Sequence, residues 1–103
     1  MIYKAKPIFR IKVEEQYSGK KLYYPQLSNT TIGIFRKRYW KSISAVDKNG
    51  NFTDDINSLY KTINRTYGFT NINAAKKVIH LWKSRLTNER LNEIKYIDYI
   101  NVN

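Results

Sequence analysis

The strongest constraint on the fold is the alternation of apolar and polar side chains in residues 7–17, PIFRIKVEEQY. In a strand, successive side chains point to opposite faces of the sheet. The apolar set on one face is Phe9, Ile11, Val13 and Tyr17, and the polar set on the other is Arg10, Lys12 and Glu14. The pattern predicts a half-buried strand, covered on one face and open on the other.

The residues that follow predict a β-hairpin and a third strand. YSGKK at 17–21 supplies a glycine-containing turn, and KLYYPQLS at 21–28 predicts the return strand. Pro25 has no N–H to donate, so it marks an edge strand, a bulge or the end of that strand. Residues 33–46 are the third extended segment, which ends at the turn-rich sequence DKNGN. One of its faces carries Phe35, Tyr39, Ile43 and Ala45, interrupted by Lys37 and Lys41, and the other carries Arg36, Arg38, Trp40, Ser42 and Ser44, so neither face is cleanly apolar.

The second half of the chain changes to a helical period. Residues 53–67 predict a helix, because apolar side chains recur three and four positions apart. Thr53 fits the N-cap and Gly68 the C-terminal stop. The apolar stripe is Ile56, Leu59, Tyr60, Ile63 and Tyr67.

A second helix and a closing strand are predicted after it. Residues 69–86 repeat the helical pattern, with Thr70 or Asn71 as the cap. Their apolar stripe is Ala75, Val78, Ile79, Trp82 and Leu86. Residues 94–102, IKYIDYINV, are rich in Ile and Tyr and predict a last strand.

These elements predict an α+β fold, with a small antiparallel sheet of three to four strands and two helices packed on one face. A chain of 103 residues has room for one hydrophobic core, so residues 1–103 are expected to form a single domain. Residues 1–48 would be its basic, β-rich half, and residues 49–103 its helical half with the closing strand. The sheet face without helices would then be open to water or to a partner.

The charge is large and unevenly distributed. Nineteen Lys and Arg against eight Asp and Glu give a net charge of +11. Residues 1–48 carry eleven of these cations and three of the anions. Because such an excess destabilises a small domain by self-repulsion, it predicts a polyanionic partner: nucleic acid, with DNA favoured over RNA, or an acidic protein surface. A surface charged only for solubility is the alternative.

The sequence does not favour catalysis. The absence of Cys excludes disulfides, thiolate metal sites and cysteine nucleophiles. The single His80 is predicted on the polar side of a helix without a nucleophile beside it. Adjacent Glu14 and Glu15 point to opposite faces of a strand, so they do not pair as metal ligands. We therefore expect a non-enzymatic protein without metal or cofactor. No signal peptide or membrane span is evident, which favours the bacterial cytoplasm.

The candidate binding surface centres on RKRYW, residues 36–40. If Trp40 and its flanking arginines face outward, they join the cations of the first strand on one exposed sheet surface. Cations neutralise phosphates, and aromatic rings stack on bases. The predicted nucleic-acid-binding residues are Arg10, Lys12, Lys20, Lys21, Arg36, Lys37, Arg38, Trp40 and Lys41. The alternative is an ordinary solvated face.

The order of hairpin, third strand and YGFTNINAAKKVI resembles the arm-binding domain at the N-terminus of many tyrosine recombinases. Phe69, Thr70, Ala74 and Ala75 match the start of that family's helix, and Tyr39 and Trp40 match its aromatic strand. The resemblance implies that the sheet enters a DNA groove while the helix braces its back. Arg36, Arg38 and Trp40 would then lie on the DNA side. The chain departs from that family at residues 53–67, where the family has a short connection.

The YYPQ strand is also similar to small proteins of Bacteroidetes phages, which implies a phage source. The most favoured function is therefore a phage-encoded protein that binds nucleic acid through phosphates. A capsid-associated virion component, or a protein that docks onto a host protein, is the alternative. An unfused DNA-binding accessory of a recombination system is a third possibility. Nothing in the sequence predicts the oligomeric state.

Overall fold

A computed structural model of the chain describes residues 1–60 and 68–102. In this part of the chain an antiparallel sheet with strand order β1-β2-β3 is followed by one helix. The elements are β1 (Ile2–Glu15), β2 (Lys21–Ile32), β3 (Lys37–Ser42) and α1 (Ile72–Leu91). The predicted α+β class with a small antiparallel sheet is confirmed.

Strands β1 and β2 form the predicted hairpin, with a tight turn between them. Its backbone is closed by a 2.8 Å hydrogen bond from the N–H of Gln16 to the carbonyl of Lys20. Gly19 has φ 89°, which only glycine adopts without steric cost. The prediction that Tyr17 lies on the inner face of the strand is wrong, because the turn already begins at residue 16 and leaves this side chain exposed.

Strand β1 begins earlier than the alternation predicted. It starts at Ile2, and its pairing with β2 shifts register between Lys4 and Ile8. Pro7 lies inside this irregularity, where its missing N–H removes no regular ladder bond. The bulge interrupts the alternation of apolar and polar residues, so the alternation does not predict that residues 2–6 belong to the strand.

The third strand is shorter than the predicted segment 33–46. Residues 33–36 form a turn, in which the N–H of Arg36 donates to the carbonyl of Gly33 at 3.1 Å. Phe35 lies in this turn and is exposed, so its predicted place on the inner face is wrong. After Ser42 the chain leaves the sheet, and residues 43–46 are all buried.

Helix α1 packs on the sheet face that carries Phe9 and Leu27, which are paired neighbours on β1 and β2. Leu27 is fully buried at the centre of the core. The core cluster is Leu27, Ile43, Ala45, Leu59, Val78, Leu81 and Trp82. The indole N–H of Trp82 donates to the carbonyl of Ser44 at 3.0 Å, which ties the helix to the chain just after β3.

Asn71 is the N-cap of α1, one of the two caps that the sequence allowed. Its backbone is extended, and its side-chain oxygen accepts a 2.8 Å hydrogen bond from the N–H of Asn73. This satisfies a backbone donor that the helix leaves free. The helix extends beyond residue 86 to Leu91, within the segment TNERLNE at 87–93 for which the sequence allows one more helical turn.

The predicted helix over residues 53–67 is not confirmed. Residues 61–67 lie outside the described part of the chain, and residues 53–60 form turns rather than a helix. Thr53 accepts from the N–H of Asp55 at 3.1 Å, and Asp55 accepts from the N–H of Asn57 at 3.0 Å. Short polar side chains thus bond the local backbone in turns that compete with a helix. Leu59 still reaches the core, as its place in the stripe predicts.

The predicted closing strand over residues 94–102 is not confirmed either. No strand is assigned to these residues, and their large side chains, among them Tyr96 and Ile100, are exposed. A strand needs a free edge to pair with. The outer edge of β1 is interrupted by Pro7 and flanked by lysines, features that discourage pairing. The fourth strand therefore stays a prediction.

Candidate nucleic-acid interface

Among the described residues no helix covers the sheet face opposite α1, and the members of this face follow from the register. Arg10, Gln26 and Ser42 pair across the three strands and form one row. Tyr3, Thr31 and Arg38 form a second row. Ser42, Trp40 and Arg38 alternate along β3, so both rows share one face, with the indole between them. We call this surface the open face; its members are Tyr3, Arg10, Lys12, Tyr24, Gln26, Thr31, Arg38, Trp40 and Ser42.

Arg10 and Trp40 form the centre of the open face. The guanidinium carbon of Arg10 lies 4.0 Å from the centroid of the Trp40 ring, within the range of a cation–π contact. The Nε of Arg10 donates to Oε1 of Gln26 at 2.7 Å, and Nε2 of Gln26 donates to the Ser42 hydroxyl at 3.4 Å. A chain of polar contacts across three strands therefore orients the guanidinium over the indole.

Arg38 stabilises the irregular part of the sheet. Its Nη1 donates to the carbonyls of Lys6 at 2.6 Å and Ser28 at 3.1 Å. Both carbonyls lie where the pairing shifts register, in β1 between residues 4 and 8 and in β2 between residues 27 and 30. Bulges leave ladder groups unpaired, and Arg38 supplies the missing donor.

Arg36 and Lys12 also contact aromatic rings. The guanidinium carbon of Arg36 lies 3.4 Å from the centroid of the Tyr3 ring, although Arg36 belongs to the turn rather than to the predicted strand. Lys12 lies 5.8 Å from the centroid of the Tyr24 ring and 3.0 Å from a carboxylate oxygen of Glu14. Because a ring carries no net charge, a cation–π contact orients a cation without neutralising it.

The other predicted residues lie away from this centre. Lys20 and Lys21 are exposed at the hairpin end of the sheet. Lys37 pairs with Ile32, and Lys41 pairs with Leu27, which places both lysines on the side that carries the helix. The structure therefore brings together Arg10, Lys12, Arg36, Arg38 and Trp40 and separates Lys37 and Lys41 from them.

The cations of α1 have different partners. Lys77 lies 2.9 Å from Asp54, Arg85 lies 3.0 Å from Glu89, and Arg90 also pairs with Glu93 at 2.6 Å. Arg85 further donates to the carbonyl of Ile56 at 2.6 Å. Much of the helix charge is therefore balanced locally, whereas the guanidiniums of Arg10 and Arg36 lie against rings.

Sequence reasoning left Tyr3, Tyr24 and Gln26 out of the predicted site. Gln26 pairs with Arg10 and Tyr24 with Lys12 across β1 and β2, whereas Tyr3 pairs with Thr31 and meets the guanidinium of Arg36 from the turn. The tyrosines alone gave little signal, since the chain contains nine. The alternation in residues 7–17 predicts the position of Tyr3 only if it is extended through Pro7 and the register shift there is taken into account.

No metal site appears in residues 1–60 and 68–102, because no three His, Asp or Glu side chains cluster there as ligands. Within the same residues, no helix is both long enough and apolar enough to cross a membrane.

In comparisons with known proteins, no family model, curated protein or solved structure matched the chain significantly. The fold and the open face thus define the class: a small α+β domain with a three-stranded antiparallel sheet, helix-covered on one face and basic and aromatic on the other.

Proposed function

We propose that this protein binds nucleic acid through the open face, mainly by contacts to phosphates, and that it prefers DNA to RNA. The observation that carries the proposal is the stack of exposed Arg10 on half-buried Trp40, at the centre of the sheet face opposite the helix. Gln26 and Ser42 hold this stack, so a charged planar donor and an aromatic surface are presented together in a fixed position.

Each part of the stack suits a nucleic-acid strand. A guanidinium whose Nε is already bonded still has two amino groups for phosphate oxygens, and such charge-assisted bonds are among the stronger ones. The indole offers a surface to an unpaired base or a sugar. Lys12 lies in the same surface and Arg36 in the adjoining turn, and both would add to the neutralisation of the phosphates.

The preference for DNA comes from the shape of the surface. A strand ribbon fits the wide major groove of B-form DNA, whereas the major groove of an RNA helix is deep and narrow. The resemblance to the arm-binding domain implies the same mode, with the sheet in a groove and the helix behind it. The observed order of three strands and one helix, with the helix on the opposite face, supports this mode.

We also propose that the protein is phage-encoded and acts in the bacterial cytoplasm. The composition, rich in Lys, Asn, Ile and Tyr, supports an AT-rich source.

The second candidate is a protein–protein role, in a virion or on an acidic host protein. The exposed Ile and Tyr side chains of residues 94–102 favour it, because large exposed apolar groups are typical of interfaces. Copurification with phage particles after nuclease treatment would distinguish this role from nucleic-acid binding.

The test is a titration of labelled duplex DNA, single-stranded DNA and duplex RNA between 25 and roughly 300 mM KCl, a range in which counterion release strongly changes affinity. We expect the tightest binding to duplex DNA and a steep fall of affinity with salt. Each lost phosphate contact should flatten the slope of log affinity against log salt by about 0.9. The double variant Arg10→Gln/Lys12→Gln should therefore lose up to about 1.8 of that slope.

The matched control is Lys76→Gln/Lys77→Gln, which removes the same charge from exposed positions on α1. It should keep the wild-type slope if the sheet face is the binding surface. Absence of binding at 25 mM KCl, or equal losses in the two double variants, would contradict the proposal.

A further inference from the structure

The turn between β2 and β3 exposes two large apolar side chains at the end of the sheet. Ile34 is 86% exposed and Phe35 is 90% exposed. They occupy the two central positions of a turn closed by the hydrogen bond from Arg36 to Gly33. Turns usually carry Gly, Asn, Asp, Ser or Pro at such positions. The exposed pair Ile34 and Phe35 is therefore not explained by the residue preferences of turns.

The backbone around this pair is held in place. The N–H of Gly33 donates to the carbonyl of Met1 at 3.0 Å, which ties the turn to the start of β1. Arg36 follows with φ 53°, a left-handed conformation that is uncommon for a residue other than glycine. Its guanidinium lies on the Tyr3 ring. The two apolar side chains therefore project from a braced turn.

Cations surround the pair and connect it to the open face. Arg36, Lys37 and Arg38 follow it directly in sequence, and Lys4 lies near the same end of β1. β3 begins at Lys37, so the strand that carries Trp40 starts two residues after Phe35. Two exposed apolar side chains bordered by these cations fit an anionic partner.

We propose that Ile34 and Phe35 form a wedge that inserts between base pairs of duplex DNA and kinks it. This proposal rests on the proposed function and adds that the bound DNA is bent. Proteins that kink DNA insert Phe, Ile, Leu, Met or Pro side chains between base steps from the minor groove. Ile34 and Phe35 belong to this set.

The reach of the turn agrees with this assignment. Trp40 is five positions after Phe35, which corresponds to at most about 17 Å at about 3.3 Å per residue. Half the summed widths of the two DNA grooves is about 9 Å, to which the sugar–phosphate strand between them is added. With the open face in the major groove, Ile34 and Phe35 therefore reach across one sugar–phosphate strand to the adjacent minor groove.

The experiment uses the full chain and a duplex of about 25 base pairs with donor and acceptor dyes at its ends and 2-aminopurine at central steps. Wild-type protein should shorten the end-to-end distance by a kink of at least about 20°, the lower end for apolar wedges, and should raise the 2-aminopurine fluorescence by unstacking. The variant Ile34→Ser/Phe35→Ser should lose both signals while it keeps the slope of affinity against salt. The control Ile97→Ser/Ile100→Ser removes exposed apolar side chains elsewhere and should retain both signals.

The outcomes separate the two proposals. Duplex binding without bending or unstacking overturns the wedge and leaves the proposed function standing, whereas absence of duplex binding overturns both. A third measurement uses vesicles of neutral lipid with about one third anionic lipid, since apolar tips with basic borders also bind membranes. The wild type could bind the vesicles without bending DNA, and Ile34→Ser/Phe35→Ser could lose that vesicle binding. This result would assign Ile34 and Phe35 to a lipid surface instead.

Discussion

The two faces of the sheet differ in how they use neighbouring residues of the same strand. On β2, Leu27 points into the core beneath α1, and Gln26 points to the open face and orients Arg10. The covered face gains stability from burial, and three cations of its helix, Lys77, Arg85 and Arg90, pair with carboxylates. On the open face and in the adjoining turn Lys12 pairs with Glu14, whereas the three arginines lie on rings or donate to carbonyls. The difference suggests that one face folds the domain and the other is available to a partner.

The largest effect should come from Leu27→Ala on the covered face. We expect a loss of about 3 kcal/mol in the free energy of unfolding, because a fully buried leucine leaves a cavity. Urea denaturation followed by circular dichroism measures it. The control is Gln26→Ala, one residue away on the open face, which should cost less, about 1–2 kcal/mol, for the lost hydrogen bonds to Arg10 and Ser42. Equal losses would remove the distinction between the faces.

The two tryptophans offer the second comparison. Trp82→Phe should cost about 2 kcal/mol, because the carbonyl of Ser44 loses its indole donor in a buried setting. Trp40→Phe keeps a ring beneath Arg10 and should change stability by less than about 0.5 kcal/mol. Denaturation gives both values, and acrylamide quenching of the remaining indole should be stronger when that indole is Trp40. A more protected Trp40 would contradict an accessible open face.

A smaller change is expected from Ser44→Ala. The Ser44 hydroxyl is buried without a hydrogen-bond partner among the described residues. Removal of an uncompensated buried hydroxyl should raise the free energy of unfolding by about 1 kcal/mol. Thermal unfolding reports the change. Ser42→Ala, on the open face, removes the acceptor of Gln26 and should not stabilise the domain, so stabilisation by both variants would count against the comparison.

The smallest effect concerns salt. An excess of positive charge repels itself, and added salt screens that repulsion. We expect the free energy of unfolding to rise by roughly 0.5 kcal/mol between 20 and about 300 mM KCl, because exposed ion pairs contribute little. Thermal unfolding without denaturant at each salt concentration measures this change in the free energy of unfolding. A fall in stability with salt would show that the helix ion pairs outweigh the repulsion in the sheet.

Local patterns predicted the regular parts of the fold well and the irregular parts poorly. The alternation around Phe9 and the stripe through Val78 both identified core residues, because burial follows the period of the backbone. The turn at residues 33–36 was missed, since Ile and Phe carry no turn signal. The strand over 94–102 was predicted from composition alone, which says nothing about an edge to pair with.

The candidate site was predicted only in part, for a related reason. Arg10, Lys12 and Trp40 share a face, as their alternation suggested, but the partners that hold them come from other strands. Two bulges set which residues are opposite, and a shift of one residue reverses the face of every side chain that follows. Lys37 and Lys41 belong to the predicted binding residues, but the alternation along the third strand already puts them on the face of Tyr39, and the register places them there.

The sequence by itself determined the class, the hairpin, the long helix and the concentration of positive charge in the first half, because these depend on residue type and local period. The tertiary structure decided which cations meet aromatic rings and which meet carboxylates. It also decided that Arg38 bonds two carbonyls at the bulges. These pairings depend on strand register and on contacts between residues distant in sequence, which no local pattern specifies.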